Sequence, residues 1–140
     1  MDRDDRLEAL GEAECRRLLS TVPVGRVVYT EHALPAVLPV DFEVAADGRL
    51  LLSLREDGGD GETSRALDGT VAAFQAELLD PESGRGWSVL VHGRAELVRV
   101  PGRTEGGAPT RVVITPELVR GRRLDRVGRT RRPGGDPADR

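Results

Sequence analysis

From Val24 to Ile114 the chain reads as strands punctuated by turns, with no helical period long enough to cover a parallel sheet. Val24-Gly25-Arg26-Val27-Val28-Tyr29-Thr30 is β-branched and aromatic and turns near Glu31-His32-Ala33. The return strand runs from Pro35 to Val44, and Pro39 confines it to an edge or a bulge. Asp47-Gly48 signals a hairpin into residues 50–54. Thr70 to Leu79 and Trp87 to Val100 are long strands joined through Asp80-Pro81-Glu82-Ser83-Gly84, and Arg111 to Ile114 is a sixth. One helix precedes them, over residues 12–20. There Cys15, Leu18, Leu19 and Val22 keep the i, i+3, i+4, i+7 spacing of a buried stripe, and Pro23 stops it. Six strands at hairpin spacing behind one helix predict a mainly β fold. The expected form is a six-stranded antiparallel barrel with a short N-terminal helix and one or two small helices.

A chain of 140 residues allows one domain, expected here over residues 1–124. Its core must be built mainly from 17 Leu and 16 Val, because only one Ile, two Phe, one Trp and one Tyr are present. The net charge of −3 is unevenly spread. Residues 121–140 carry seven Arg against three Asp, so the remainder is acidic. An acidic body lacks the basic face of a nucleic-acid-binding domain, which makes a nucleic-acid partner an unfavoured reading. The Arg/Gly/Pro-rich segment 125–140 reads as a disordered tail. No apolar run is long enough for a membrane span and the first residues do not resemble a signal peptide, so a cytoplasmic protein is expected.

A single cysteine, Cys15, excludes an internal disulfide and a cysteine metal cluster, and its place on the helix stripe reads as core. No Gly-x-Ser-x-Gly elbow or Cys–His pair signals a nucleophile, and no metal site is expected. His32 falls in a turn and His92 on the face opposite Val89 and Val91, positions that suit surface or interface histidines. Two segments interrupt the strand pattern. Residues 55–62 carry Glu56, Asp57, Asp60 and Glu62 among three glycines, and 101–109 is also Gly-rich.

The order of blocks carries a resemblance. It begins with Glu14-Cys15-Arg16-Arg17-Leu18-Leu19, Val24-Gly25-Arg26-Val27 and Leu34-Pro35-Ala36-Val37-Leu38-Pro39-Val40. It continues with Ala72-Ala73-Phe74, the block from Gly86 through Trp87-Ser88-Val89 to Ala95, Ile114-Thr115-Pro116 and Gly121-Arg122-Arg123. Over roughly residues 7–124 the chain resembles the pyridoxamine 5'-phosphate oxidase-like, FMN-binding split-barrel family in its short form. The resemblance implies a homodimer of six-stranded split barrels with flavin sites between subunits, FMN or a deazaflavin such as F420 being the cofactor. It implies an apolar wall and ring-edge contacts at Val40 and Asp41, with Ser53 at the end of the next strand. It implies phosphate donors at Thr63, Ser64 and Arg65 opening a short helix, and it puts Trp87 and Ser88 at the cofactor's border. Trp87 fits a core or interface aromatic equally well.

Where relatives carry an Arg-Thr or similar pair this chain has Ser53-Leu54, and Asp41 stands where a small polar residue is usual. The resemblance does not extend to the additional C-terminal Arg, His and Trp motifs of the full-length oxidases. The expected activity is therefore that of a flavin-dependent oxidoreductase of unknown small-molecule substrate. Two alternatives stand beside it. One is a cofactor-free dimeric binding or regulatory module, and the other is a haem-handling barrel in which His32 or His92 would be the axial ligand.

Overall fold

A computed structural model describes residues 7–54, 62–98 and 110–125. The elements are β1 (Leu7–Leu10), α1 (Glu12–Leu19), β2 (Val24–Glu31), β3 (Leu34–Val44), β4 (Leu50–Leu54), α2 (Glu62–Leu67), β5 (Val71–Leu79), β6 (Gly86–Val98) and β7 (Thr110–Leu124). The sheet order is β1-β7-β4-β3-β2-β5-β6, and a further β6–β7 pairing closes strands β2 to β7 into a six-stranded antiparallel barrel. The mainly β barrel read from the sequence is the fold observed.

Alternation builds the interior. Leu50, Leu52 and Leu54 on β4, Val89 and Val91 on β6, and Val112 and Ile114 on β7 are all essentially inaccessible. Phe42 and Phe74 meet edge to face at the centre, with ring centroids 4.7 Å apart and planes at 60°. Burying each Leu or Val side chain contributes about 1.5–3 kcal/mol, so the aliphatic composition suffices without many aromatics.

Helix α1 buries Cys15, Leu18 and Leu19 and leaves its Glu12–Arg16 and Glu14–Arg17 pairs outside. The turn joining β2 to β3 is a two-residue turn in which His32 (φ 53°) and Ala33 (φ 63°) both adopt left-handed conformations. That is the geometry of the primed turns that match strand twist, although glycine or asparagine is the usual occupant. Pro35 and Pro39 are tolerated for a simple reason. The Phe42 N–H donates toward Pro23, on the β2 side, so by alternation the N positions of residues 39 and 35 point away from β2. On that other side β4 pairs only with Asp41 to Val44, leaving the first part of β3 as an edge.

Two boundaries differ from the sequence reading. β1 was not foreseen, because four residues are too few to display alternation; it pairs with the last turnward stretch of β7, Leu7 opposite Leu124 through Leu10 opposite Gly121. β7 was expected to end at Ile114 but continues to Leu124. Pro116 lies at a bulge, where the register steps from His92 opposite Leu118 to Gly93 opposite Pro116, and a bulge accommodates a residue without an N–H. Arg122 and Arg123, the first arginines of the basic stretch 121–140, thus belong to this strand. The acidic segment 55–61, the Gly-rich segment 101–109 and residues 126–140 lie outside the described residues.

Candidate functional site

The wall expected at Val40 and Asp41 lies where β3 first meets β4. Asp41 is the direct cross-strand partner of Ser53 on one side and of Val24 on the other. These residues, with Leu38, Pro39 and Val40, line a shallow cleft of about 170 Å3. Val40 is 4% exposed and forms its floor, whereas Asp41 projects outward. Three of the expected site residues therefore sit together. The cleft offers an apolar surface flanked by a carboxylate and a hydroxyl, a combination suited to a flat ring with polar edges.

Helix α2 carries the next group. Thr63 is half-buried, Ser64 is buried at 4% exposure and Arg65 is exposed, and all three have bonding partners already. The helix packs against β2, β6 and β7. Its C-terminal end is pinned to β6: Gly69 N–H donates to the Ala95 carbonyl at 2.7 Å, Ala95 N–H to Thr70 at 2.8 Å, and Leu97 N–H to the Asp68 carboxylate at 2.8 Å. Arg94 adds a guanidinium bond to the Gly69 carbonyl at 2.8 Å. Arg65 therefore projects from a fixed support, while Ser64 faces inward.

Trp87 and Ser88 lie elsewhere. Trp87 is 5% exposed within the core cluster, the alternative weighed for it from sequence. Ser88, one residue on, accepts a 3.0 Å bond from Gln75 Nε2. Gln75 in turn accepts from Arg26 Nη1 at 2.9 Å and donates to Glu77 at 3.0 Å, forming a polar chain across β2, β5 and β6. β6 is three strands from β3 in either direction around the barrel, so a single chain holds Trp87–Ser88 and Asp41–Ser53 on opposite sides. His92 lies on the outer face of β6 with its Nδ1 buried and unpartnered among the described residues, and His32 is exposed in its turn.

Sequence reasoning missed Arg111. Across β4–β7 it is the direct partner of Ser53, and it is exposed. The signal that could have found it is the two-residue period of β7, in which Val112 and Ile114 face in and Arg111 must face out. Among the described residues no three His, Cys, Asp or Glu side chains form a metal-binding group, and no helix is long and apolar enough to cross a membrane.

The family model described as pyridoxamine 5'-phosphate oxidase matches residues 11–123. Among curated proteins, the uncharacterized protein Rv0080 of Mycobacterium tuberculosis is 37% identical over 134 residues, covering 86% of this chain and 88% of that one. Among solved structures, the FAD binding protein from Mycobacterium smegmatis is 30% identical, with a TM-score of 0.66 over 84% of this chain and 98% of its own. An FAD-binding protein from Mesorhizobium loti, 21% identical, shares the fold at a TM-score of 0.66 over 85% of this chain and 97% of that one.

Proposed function

The chain belongs to the pyridoxamine 5'-phosphate oxidase family, and from that membership we propose that it is a flavin-binding split barrel acting as a flavin-dependent oxidoreductase. The observation that carries this reading is the cleft that gathers Val40, Asp41 and Ser53, in a chain 30% identical to an FAD binding protein. The residues present fit a flavin. Val24, Leu38, Pro39 and Val40 offer the apolar wall an isoalloxazine needs, Asp41 offers a group to its polar edge, and Ser53 offers a hydroxyl beyond the ring. A guanidinium at Arg65 suits the phosphate. When bound, the flavin supplies hydride or electron transfer, and the protein's part is to bind, orient and exclude water.

The site works as a homodimer in this reading. Trp87 is spent in the core, but Ser88 stands on the far side of the barrel from Asp41, so in this reading a second copy brings Ser88 to a ligand seated at Asp41. The outer face supports such a pairing. Val37, Val28, Ala73, His92 and Leu118 are successive cross-strand partners over β3, β2, β5, β6 and β7, making one largely apolar row. Val37 and Leu118 in that row are 59% and 43% exposed in the single chain.

Fluorescence titration with FMN, FAD, riboflavin and F420 tests the proposal and selects the cofactor. Saturable quenching by a flavin, with one site per subunit, is the expected result. A protein that binds none of the four is instead the cofactor-free module, in which the Asp41 carboxylate repels an electron-rich ring.

A further inference from the structure

The cleft at β3–β4 is one end of a longer strip. Cross-strand register runs Val24, Asp41, Ser53, Arg111 over β2, β3, β4 and β7. Directly opposed residues in antiparallel ladders project from the same face. Val40, Phe42, Leu52, Leu54 and Val112, which flank this row, are buried, whereas Asp41 and Arg111 are exposed. The row is therefore on the outside of the barrel. Neighbouring strands are about 4.8 Å apart, so Arg111 stands one step beyond Ser53 and about 10 Å beyond Asp41.

Along this row the chemistry changes in order. It is apolar at Val24, with Leu38 and Pro39 beside it, then a carboxylate, then a hydroxyl, then a guanidinium. Several exposed arginines of the barrel are already engaged: Arg26 with Gln75, Arg94 with the Gly69 carbonyl, Arg85 with Asp125 and Arg123 with Glu14. Arg111 has no hydrogen bond or ion pair to any described residue. On β6 its direct partner is Val98, and the adjacent row runs Leu51, Val113 and Glu96, whose carboxylate lies diagonally across from Arg111 without an ion pair to it.

We infer that Arg111 holds the anionic end of the ligand whose flat apolar part lies on Val24, Leu38 and Pro39, the group recognised being a phosphate-type oxyanion. This rests on the flavin reading above and assigns a ligand contact on β7. A guanidinium matches two phosphate oxygens at once, and Ser53 supplies a hydroxyl donor one step away. An oxyanion seated between Ser53 and Arg111 is nearer the cation than the Asp41 carboxylate, so attraction exceeds repulsion at that end of the strip. At the other end the carboxylate is left facing the ring edge, where a donor can meet it.

The test titrates FMN, riboflavin and inorganic pyrophosphate into the full chain, its Arg111→Ala variant and its Arg111→Lys variant. Arg111→Ala should weaken FMN by about tenfold or more, the loss expected for a hydrogen bond to a charged group, and leave riboflavin within twofold. Arg111→Lys should recover part of the FMN affinity, because charge returns without the two-pronged geometry. Equal losses for FMN and riboflavin, or no loss for either, overturn the inference. If the unaltered protein binds neither flavin, the flavin reading fails, and pyrophosphate then decides Arg111. Salt-sensitive pyrophosphate binding that disappears in Arg111→Ala supports the oxyanion contact, and its absence from the unaltered protein overturns it.

Discussion

Cys15 Sγ lies directly against Gly121, and a methyl group at that glycine would overlap the sulfur. The contact seats α1 on β7, with the thiol fully buried and its S–H directed to the Leu10 carbonyl at 3.9 Å. Gly121→Ala should therefore destabilise the protein by about 1–3 kcal/mol, the scale of overpacking a filled core. Cys15→Ala should relieve part of that loss, giving a favourable coupling in a double-mutant cycle. Urea unfolding of the four proteins measures it, and additive losses would show that the two residues do not press on each other.

The same burial raises the Cys15 thiol pKa, with Glu12 and Glu14 adding to the effect. A thiol reagent at neutral pH should leave the native protein unmodified and react with one equivalent once the protein is unfolded. Rapid native modification would place Cys15 outside the core.

Glu14 joins α1 to its own Arg17 at 2.7 Å and to Arg123 on β7 at 3.4 Å. The hydrogen bond from Arg17, with the positive charges of Arg17 and Arg123, lowers the Glu14 pKa. A carboxylate with a lowered folded pKa contributes stability that is present above its unfolded pKa and fades as pH falls through the folded value. Glu14→Gln should melt below the unaltered protein at neutral pH, and the gap should close in acid and narrow in high salt. Melting curves across that range check it; a constant gap would mean that the loss is steric.

The legible parts of this molecule were those with a local pattern. The helix stripe of Cys15, Leu18 and Leu19, the Asp47-Gly48 turn and the alternation through β4, β5 and β6 each declare themselves within a few residues. β1 and the far half of β7 were hidden because they stabilise each other across more than 100 positions, while Pro116 and the arginines beyond it imitate a strand end. The Asp41–Ser53 cleft followed from the family resemblance of its residues, but Arg111 is brought to it only by the register between β4 and β7. Trp87 was ambiguous because an inward strand position and a ligand border have the same sequence signature.

The apolar row Val37–Val28–Ala73–His92–Leu118 predicts a dimer of about twice 15.1 kDa. Leu118→Glu puts a charge on that face without touching the core, since Leu118 is 43% exposed in the single chain. Light scattering should report a dimer for the unaltered protein and a monomer for the variant. A stable monomer at micromolar concentration for the unaltered chain would remove the shared-site arrangement.

Arg65 projects from the α2 support and is the second cation proposed for the phosphate. Arg65→Ala should weaken FMN by about 1.5–3 kcal/mol and leave riboflavin nearly unchanged. Calorimetric titration of both ligands reads the difference directly; equal losses would show that Arg65 acts through folding.

A barrel that holds a flavin is a coloured protein, which visible absorbance reads without any assumption about substrate. The protein is purified without added cofactor, scanned, incubated with FMN or FAD, passed through a desalting column and scanned again. The yellow bands of oxidised flavin travelling with the protein, before or after incubation, are the predicted result. A colourless protein that leaves all flavin behind on the column would contradict the account, and a haem Soret band in its place would assign the barrel to another cofactor.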